Sequence, residues 1–139
     1  MSAHADLIEV ARARINPHRV GDRLFGDVAA ALETTTGVIH TGVCIDTGSG
    51  TGFCAEHAAI ASMVTSGEYA IARIVALWRA ADGRVTVLPP CGRCREFIRQ
   101  IDDSNLGATV VLGHGRTAPL RDLLPEWRWP QPEEPTPSQ

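Results

Sequence analysis

Segments that favour β-strands alternate along this chain with segments that favour helices. Residues 28–32 and 38–45 favour buried strands, and the Thr-Thr-Thr-Gly turn between them predicts a β-hairpin. The pattern predicts further helices and strands, the helices at 54–65 and from 91, the strands at 71–77, 85–88 and 108–112. This alternation, with one hairpin present, predicts an α/β fold: a three-layer α/β/α sandwich with a mixed sheet of about five strands.

The two ends of the chain carry shorter signals. Apolar residues recur at helical spacing near the start and predict a short amphipathic helix, at Leu7, Ile8, Ala11 and Ile15. Residues 120–124 predict one or two helical turns, and residues 130–139 have the composition of a disordered tail. With 139 residues, 44% of them hydrophobic, the chain can bury one core, so residues 1–129 are predicted to form a single domain.

The charged residues exclude several classes of function. All 13 basic residues are arginine, and a chain without lysine has neither a Schiff-base amine nor the Gly-Lys of a phosphate-binding loop. The formal net charge is −3, which leaves no excess of positive charge for binding a phosphate backbone. We therefore expect a small-molecule substrate and no nucleic-acid polymer as partner.

The apolar residues and the cysteines together predict a location. Residues 1–15 have no apolar signal-peptide region, and no run of about 18 apolar residues occurs, so we expect no membrane partner. The chain is predicted to be cytoplasmic, where its four cysteines would stay reduced. Reduced cysteines favour metal binding or catalysis over disulfide bonds.

Three of the cysteines fall where predicted helices begin. Cys91 and Cys94 stand three residues apart, so their side chains lie on one helix face and can share a metal ion. Cys54 begins another helix, whose N-terminus stabilises a thiolate. Three thiolates without a fourth protein ligand describe a catalytic zinc site, because the fourth position is open to water. Glu56 follows close enough to act as the base for that water.

Each of these residues also has a purely structural interpretation. The three cysteines could be unrelated structural residues, and Glu56 could be a solvated carboxylate on a helix face. Their spacing favours the catalytic interpretation. The Gly-rich segment 46–52 is either a plain connector or a loop whose backbone lines a ligand site.

The sequences Cys-Ala-Glu at 54–56 and Pro-Cys-Gly-Arg-Cys-Arg at 90–95 resemble the zinc site of the cytidine deaminase superfamily. The resemblance extends from about residue 28 to residue 125, and the segments PCGRCRE and LRDLLPEWRW look nearest to the blasticidin S deaminase branch. It implies that Zn²⁺ is held by Cys54, Cys91 and Cys94, that activated water attacks a ring carbon bearing an amino group, and that ammonia leaves.

The same resemblance implies a set of substrate contacts and an assembly. Glu56 would carry protons from water to a ring nitrogen and to the departing amine, and the backbone around Ala55 and Pro89 would contact the base. The substrate would be a cytosine-type nucleoside, a nucleobase, a related amino-heterocycle or a blasticidin-like antibiotic. Small members of the family assemble as tetramers, so a homotetramer is expected, with a dimer as the alternative.

The resemblance is weaker where the sugar of a nucleoside would bind. Typical members hold the ribose hydroxyls with an Asn and a Glu, and the matching residues here are Cys44 and Asp46. A thiol is a poor hydrogen-bonding partner and Asp is one methylene shorter than Glu, so we expect weaker recognition of ribose. Alternatively, Cys44 is only a small buried strand residue and Asp46 only a turn residue.

Two aromatic positions and one charged position also bear on the site. The aromatic substrate contact of the family corresponds to Phe25, displaced by one residue, and Trp127 either covers the core or lies near the active site. Many relatives with three cysteines have an Arg where this chain has His57. Zinc with three thiolates has a net charge of about −1, so helix dipoles together with His57, Arg93 or Arg95 are expected to offset it.

Two hypotheses of a different kind compete with the deaminase. A non-catalytic domain stabilised by zinc would keep the fold for binding or assembly alone. A thiol redox protein would instead cycle a disulfide between Cys91 and Cys94 and would bind no stoichiometric zinc.

Overall fold

The structure, a computed structural model, describes residues 3–130. Within this range the α-helices are α1 (Ala5–Arg14), α2 (Ala55–Thr65) and α3 (Gly92–Ile101). The strands are β1 (His18–Val20), β2 (Arg23–Phe25), β3 (Val28–Thr34), β4 (Ile39–Val43), β5 (Ile71–Arg79), β6 (Val85–Leu88), β7 (Thr109–Gly113) and β8 (Arg116–Pro119). Short 3₁₀ helices lie at Asp103–Gly107 and Leu120–Leu123.

Six of the strands form one mixed sheet, which confirms the predicted α/β sandwich. Its order is β4-β3-β5-β7-β8, and β6 also pairs with β5. The β5–β7 pair is parallel and the other pairs are antiparallel. Along one edge of β5, Arg73 and Ile74 pair with β7, whereas residues 76–79 pair with β6. We call this point, where two partners of β5 diverge, the fork.

The helices cover both faces of the sheet, because successive side chains on β3 and β5 point to opposite faces. On one face, α1 buries Leu7, Ile8 and Ala11 against a cluster that includes Ala29 and Val75. On the other face, α2 and α3 pack on the alternate strand residues, a cluster that includes Ala30, Leu32, Ile60, Ile74 and Ile98. The three layers place α2 and α3 side by side on the face that carries the cysteines.

Close packing of α2 on β4 depends on a glycine. A Cβ atom at Gly42 would lie 2.4 Å from the backbone nitrogen of Ala59 and 2.5 Å from Cβ of Ala58. Real side chains do not tolerate such contacts, so any larger residue would push α2 away from the sheet. Gly42 therefore sets the depth at which α2 lies on the sheet.

The strands that the sequence did not predict are short and exposed. β1 and β2 form a separate two-stranded antiparallel sheet, and β8 lies at the edge of the main sheet. Every residue of β1 is exposed, so it shows no alternation of apolar and polar residues that would mark a strand. The main sheet therefore has six strands where about five were expected.

The C-terminal region bears on two further predictions. The helical turns expected at 120–124 are the 3₁₀ helix Leu120–Leu123. The predicted disordered tail lies outside the described residues from position 131 onward. Among residues 3–130, none of the helices has the length and apolar character needed to cross a bilayer.

Candidate metal and catalytic site

Two helix N-termini bring three cysteine sulfurs together. Cys54 is the N-cap of α2, Cys91 is the N-cap of α3, and Cys94 lies in the first turn of α3. The Sγ atoms of Cys54 and Cys91 are 3.8 Å apart, and those of Cys91 and Cys94 are 3.6 Å apart. All three sulfurs lie within 4.8 Å of one another. The group predicted from the sequence is therefore assembled in the fold and could hold a metal ion.

The spacing of these sulfurs fits zinc. Zn–S bonds of about 2.3 Å in tetrahedral geometry place neighbouring sulfurs about 3.8 Å apart. The two sulfur distances of 3.8 and 3.6 Å match that value. All four cysteines, including Cys44, are free of disulfide bonds. A site for three thiolates and one further ligand is thus preformed.

The three thiols differ in their surroundings. Burial raises the pKa of Cys54 and of Cys94, whose side chain is wholly buried. At Cys91 burial is outweighed by hydrogen bonds from the backbone N–H of Cys94 and from the neighbouring thiols, which lower its pKa. Cys91 is exposed and sits at a helix N-terminus, where the backbone dipoles favour a thiolate. It is therefore the sulfur most readily available to a metal ion that approaches from solvent.

Glu56 is not a solvated helix-face carboxylate. It lies in the first turn of α2, two residues after Cys54, and only 6% of it is exposed. Burial raises the pKa of Glu56, opposed in part by hydrogen bonds. A raised pKa makes a carboxyl a weaker acid that holds its proton more readily, which suits a group that must take up a proton and release it again.

Two of the three cysteines and Glu56 lie in the wall of a cavity of about 430 Å³, the size of a small-molecule site. Cys54, Cys91 and Glu56 line one part of it. Four of the predicted substrate contacts line it as well, namely Cys44, Asp46, Ala55 and Pro89. Thr47, Gly50 and Gly52 also line it, so the segment 46–52 contributes to the wall of the cavity.

One wall of the cavity is acidic. The Cys44 Sγ donates a hydrogen bond to Oδ1 of Asp27 at 3.1 Å and lies 3.9 Å from Oδ2 of Asp46. Burial, together with the hydrogen bond to Asp27, raises the pKa of Cys44 to about 11. Cys44 is only 5% exposed, so it is a buried residue, and it also lines the cavity. Its proton is already engaged by Asp27.

The sequence did not single out Asp27, although it lines the cavity. Its partner Cys44 lies 17 residues away and is brought close by the pairing of β3 with β4. The only local signal was a carboxylate placed directly before a buried strand. Predicting the hydrogen bond between Asp27 and Cys44 required knowledge of the register of that hairpin.

The predicted substrate contacts Phe25 and Trp127 are not among the residues that line this cavity. Phe25 ends β2 and pairs with His18 in the small separate sheet. The Trp127 ring packs under the guanidinium of Arg99, 5.1 Å from its centroid, and Arg99 also lies over Trp129. A cation–π contact with α3 thus fixes the Trp127 ring outside the cavity of its own chain.

The three residues expected to offset the thiolate charge occupy different places. The Nδ1 atom of His57 lies 3.5 Å from Cys94 Sγ, and burial, with a smaller effect of Arg93, lowers the pKa of His57. Arg93 lines the cavity and donates to the Gly52 carbonyl at 3.4 Å. Arg95 points elsewhere, because it donates to the carbonyls of Pro90 and Leu123.

Comparison with known proteins places the chain in a family. No family model matches it. It is 36% identical over 104 residues to a blasticidin-S deaminase of Bacillus cereus, covering 67% of this chain and 69% of the relative. It is 34% identical over 101 residues to the cytidine deaminase of Mycobacterium tuberculosis, covering 71% and 70% of the two chains.

Solved structures give the same result. The crystal structure of a cytidine deaminase from Burkholderia pseudomallei superposes with a TM-score of 0.70 and 29% identity, covering 89% of this chain and 98% of that one. A mutant of the Mycobacterium tuberculosis cytidine deaminase gives a TM-score of 0.72 at 24% identity, covering 91% and 98%. The fold and the site define a deaminase of the α/β sandwich class. The chain belongs to the cytidine deaminase superfamily, whose cytidine deaminase and blasticidin-S deaminase members it resembles.

Proposed function

We propose that this chain is a zinc-dependent hydrolytic deaminase of a cytosine-type nucleoside, a nucleobase or a related amino-heterocycle. The observation that carries the proposal is a cluster of three cysteine sulfurs, two of them in the wall of a cavity that the buried Glu56 also lines. Water would add to the ring carbon that bears the amino group, across its C=N bond to a ring nitrogen. The exocyclic C–N bond would then break, so that ammonia leaves and a carbonyl remains on that carbon. This breaks the C–N bond of a cyclic amidine.

The residues would divide the chemistry among them. Cys54, Cys91 and Cys94 would hold the zinc ion, which when bound polarises water and lowers its pKa. Glu56 would take the proton of the attacking water, deliver it to a ring nitrogen and then protonate the leaving amine. Its burial supports this role, because the carboxyl must exist in both protonation states during one turnover. Ala55 and Pro89 would contact the heterocycle from the cavity wall.

The acidic wall bears on the choice of substrate. Cys44 and Asp46 are the residues that the family resemblance matches to the ribose contacts, and the Cys44 proton is engaged by Asp27. The thiol therefore has no proton to offer a sugar oxygen. We propose that binding relies chiefly on the ring, which keeps free bases and blasticidin-like antibiotics beside cytidine as candidates. The 36% identity to a blasticidin-S deaminase favours the antibiotic as the second candidate.

The test is a substrate panel in which ammonia release is measured. Zinc-loaded protein would be incubated with cytidine, cytosine, related amino-heterocycles and blasticidin S. Glu56→Gln should lower the rate on the active compound by about 100-fold to 10,000-fold, because the proton carrier is lost. Glu9→Gln, a surface carboxylate on α1, is the matched control and should act like the wild type.

The competing hypotheses predict other results. A non-catalytic domain would bind stoichiometric zinc and release no ammonia from any compound of the panel. A redox protein would bind no zinc and would cycle a Cys91–Cys94 disulfide. The position of Cys54 Sγ, 3.8 Å from Cys91 Sγ, supports metal binding, because a two-cysteine redox site has no need of a third sulfur.

Assembly and location are also proposals. We propose that copies of this chain form a homotetramer, with a dimer as the alternative, and sedimentation velocity would measure it. Residues 1–129 would form its single domain, and a cytoplasmic location would keep the four cysteines reduced.

A further inference from the structure

The side chain of His57 lies directly behind the proposed metal centre. His57 is on α2 next to Glu56, and only 9% of it is exposed. Its Nδ1 atom is 3.5 Å from Sγ of Cys94, which is within the range of a hydrogen bond to sulfur. This contact connects α2 and α3, the two helices that carry the thiols.

The plane of the His57 ring is held by stacking. It stacks on Phe97 with ring centroids 4.1 Å apart and ring planes 10° apart. Phe97 follows Cys94 by three residues, so both lie on the same face of α3. Stacking holds the plane of the His57 ring, and of the two ring flips that this plane allows, the one in the structure turns Nδ1 towards the sulfur.

Cys94 needs such a donor more than the other two cysteines do. Its side chain is 0% exposed, so water does not reach it, whereas Cys91 is exposed. A thiolate buried without a hydrogen-bond donor would carry a large desolvation cost. The two arginines that might have served donate elsewhere, Arg93 to Gly52 and Arg95 to Pro90 and Leu123.

We infer that His57 is a positioning residue of the zinc site, whose Nδ1–H donates to the Cys94 thiolate and holds that sulfur in place for the metal. This inference rests on the proposed function, because it requires zinc at the three cysteines. The bond would offset part of the excess negative charge of a zinc–trithiolate centre. The hydrogen bond would also connect α2 to α3 before zinc is bound, when no metal–sulfur bond yet links the two helices.

The test compares two replacements of similar size. His57→Asn keeps an N–H donor, since its Nδ2 lies near the position of the imidazole Nδ1. His57→Leu fills a similar space without a donor. Zinc dissociation constants are measured by competition with a chelator. His57→Leu should bind zinc about 10-fold to 100-fold more weakly than the wild type, and His57→Asn should stay within a few-fold of it.

A spectroscopic reading accompanies the affinity. In protein loaded with Co²⁺, the thiolate-to-metal charge-transfer band should shift in His57→Leu and return towards the wild-type position in His57→Asn. His40→Leu is the control, because His40 contacts Ser62 on α2 at 2.9 Å and has no sulfur partner among the described residues. It should change neither reading.

The outcomes separate the inference from the function on which it rests. Equal loss of zinc affinity in His57→Asn and His57→Leu would mean that the ring only fills space, and the inference would be overturned while the deaminase proposal stands. Wild-type protein that binds no zinc would overturn both. Restoration by Asn, in affinity and in the charge-transfer band, supports the hydrogen bond.

Discussion

Cys44 lines the cavity, and its thiol also contributes to the stability of the fold. Its thiol is buried, donates to Asp27 and has a pKa of about 11 instead of its usual 9.0. The folded protein therefore keeps the proton at pH values where the unfolded chain releases it. Linkage then requires that stability fall as pH rises through this window, because the native state binds more protons than the unfolded state.

The first prediction concerns this alkaline window. Between pH 9 and pH 11, the free energy of unfolding of the wild type should fall by about 1 to 2 kcal/mol relative to that of Cys44→Ala. Urea unfolding of both zinc-loaded proteins across the window measures it. The subtraction removes the effect of other groups, which titrate alike in both. Parallel profiles would show that the Cys44 thiol is not held neutral by the fold.

Among single residues, the sequence predicted those whose role depends on neighbours close in the chain. Cys54, Glu56, Cys91 and Cys94 could be identified because each pair is close in the chain and each helix start is marked. The hydrogen bond from Cys44 to Asp27 could not be predicted, since it depends on strand register. The position of Trp127 could not be predicted either, because its contact with Arg99 depends on how the last segment crosses α3.

The helices that carry the site are held by contacts far from it. α2 lies against β4 at Gly42, where a Cβ atom would come within 2.4 Å of the helix backbone. α3 is held at its other end by Asn105, which is fully buried and donates to the carbonyls of Tyr69 and Ile98 while it accepts from the N–H of Ile71. Both contacts fix a helix whose N-terminus bears a cysteine of the proposed metal site.

The second prediction concerns the packing of α2. Gly42→Ala should destabilise the protein by about 1 to 3 kcal/mol, because the added methyl group forces the helix away from β4. It should also weaken zinc binding, since Cys54 caps that helix. Thermal unfolding and chelator competition provide the two measurements.

Gly48→Ala is the matched control for this substitution. A Cβ atom at Gly48 would meet nothing within 4 Å, so its stability should stay within about 0.5 kcal/mol of the wild type. If the two variants proved equally stable, α2 would have room to move and Gly42 would not set its depth.

The secondary structure that the sequence predicted well is the buried part. β3, β5 and β7 carry continuous apolar residues, and α1 and α2 show helical spacing, so their positions were predicted to within two residues. β1, β2 and β8 were not predicted because they are only three or four residues long and contain no fully buried residue, so they leave no periodic pattern. β1 and β2 form by pairing with each other and β8 forms by pairing with β7, and these pairings are visible only in the folded structure.

At the scale of the whole molecule, a bound metal ion would link two distant parts of the chain. Cys54 and Cys91 are separated by 37 residues, and an ion bound to both would connect the two helix starts. Because zinc would bind the native arrangement and not the unfolded chain, it should add to the free energy of unfolding, by about 4 kcal/mol at a concentration 1,000 times its dissociation constant.

The third prediction follows from this linkage. Removing zinc with a chelator should lower the melting temperature of the wild type by several degrees, and added zinc should restore it. Cys91→Ser, which lacks one ligand, should show a much smaller response to either treatment. Differential scanning calorimetry measures the melting temperature of each protein with zinc, after chelation and after zinc is added back. A wild-type melting temperature that ignores the chelator would argue against a metal at these cysteines.

The fork in the sheet has a consequence for engineering the protein. β6 leaves the edge of β5 at Leu88, next to the cavity, whereas the tip of the β5–β6 hairpin at 80–84 lies at the other end of that ladder. Four residues of strand, roughly 13 Å, separate the two. A peptide or fluorophore grafted at the exposed tip would therefore report on the enzyme without disturbing its catalytic half.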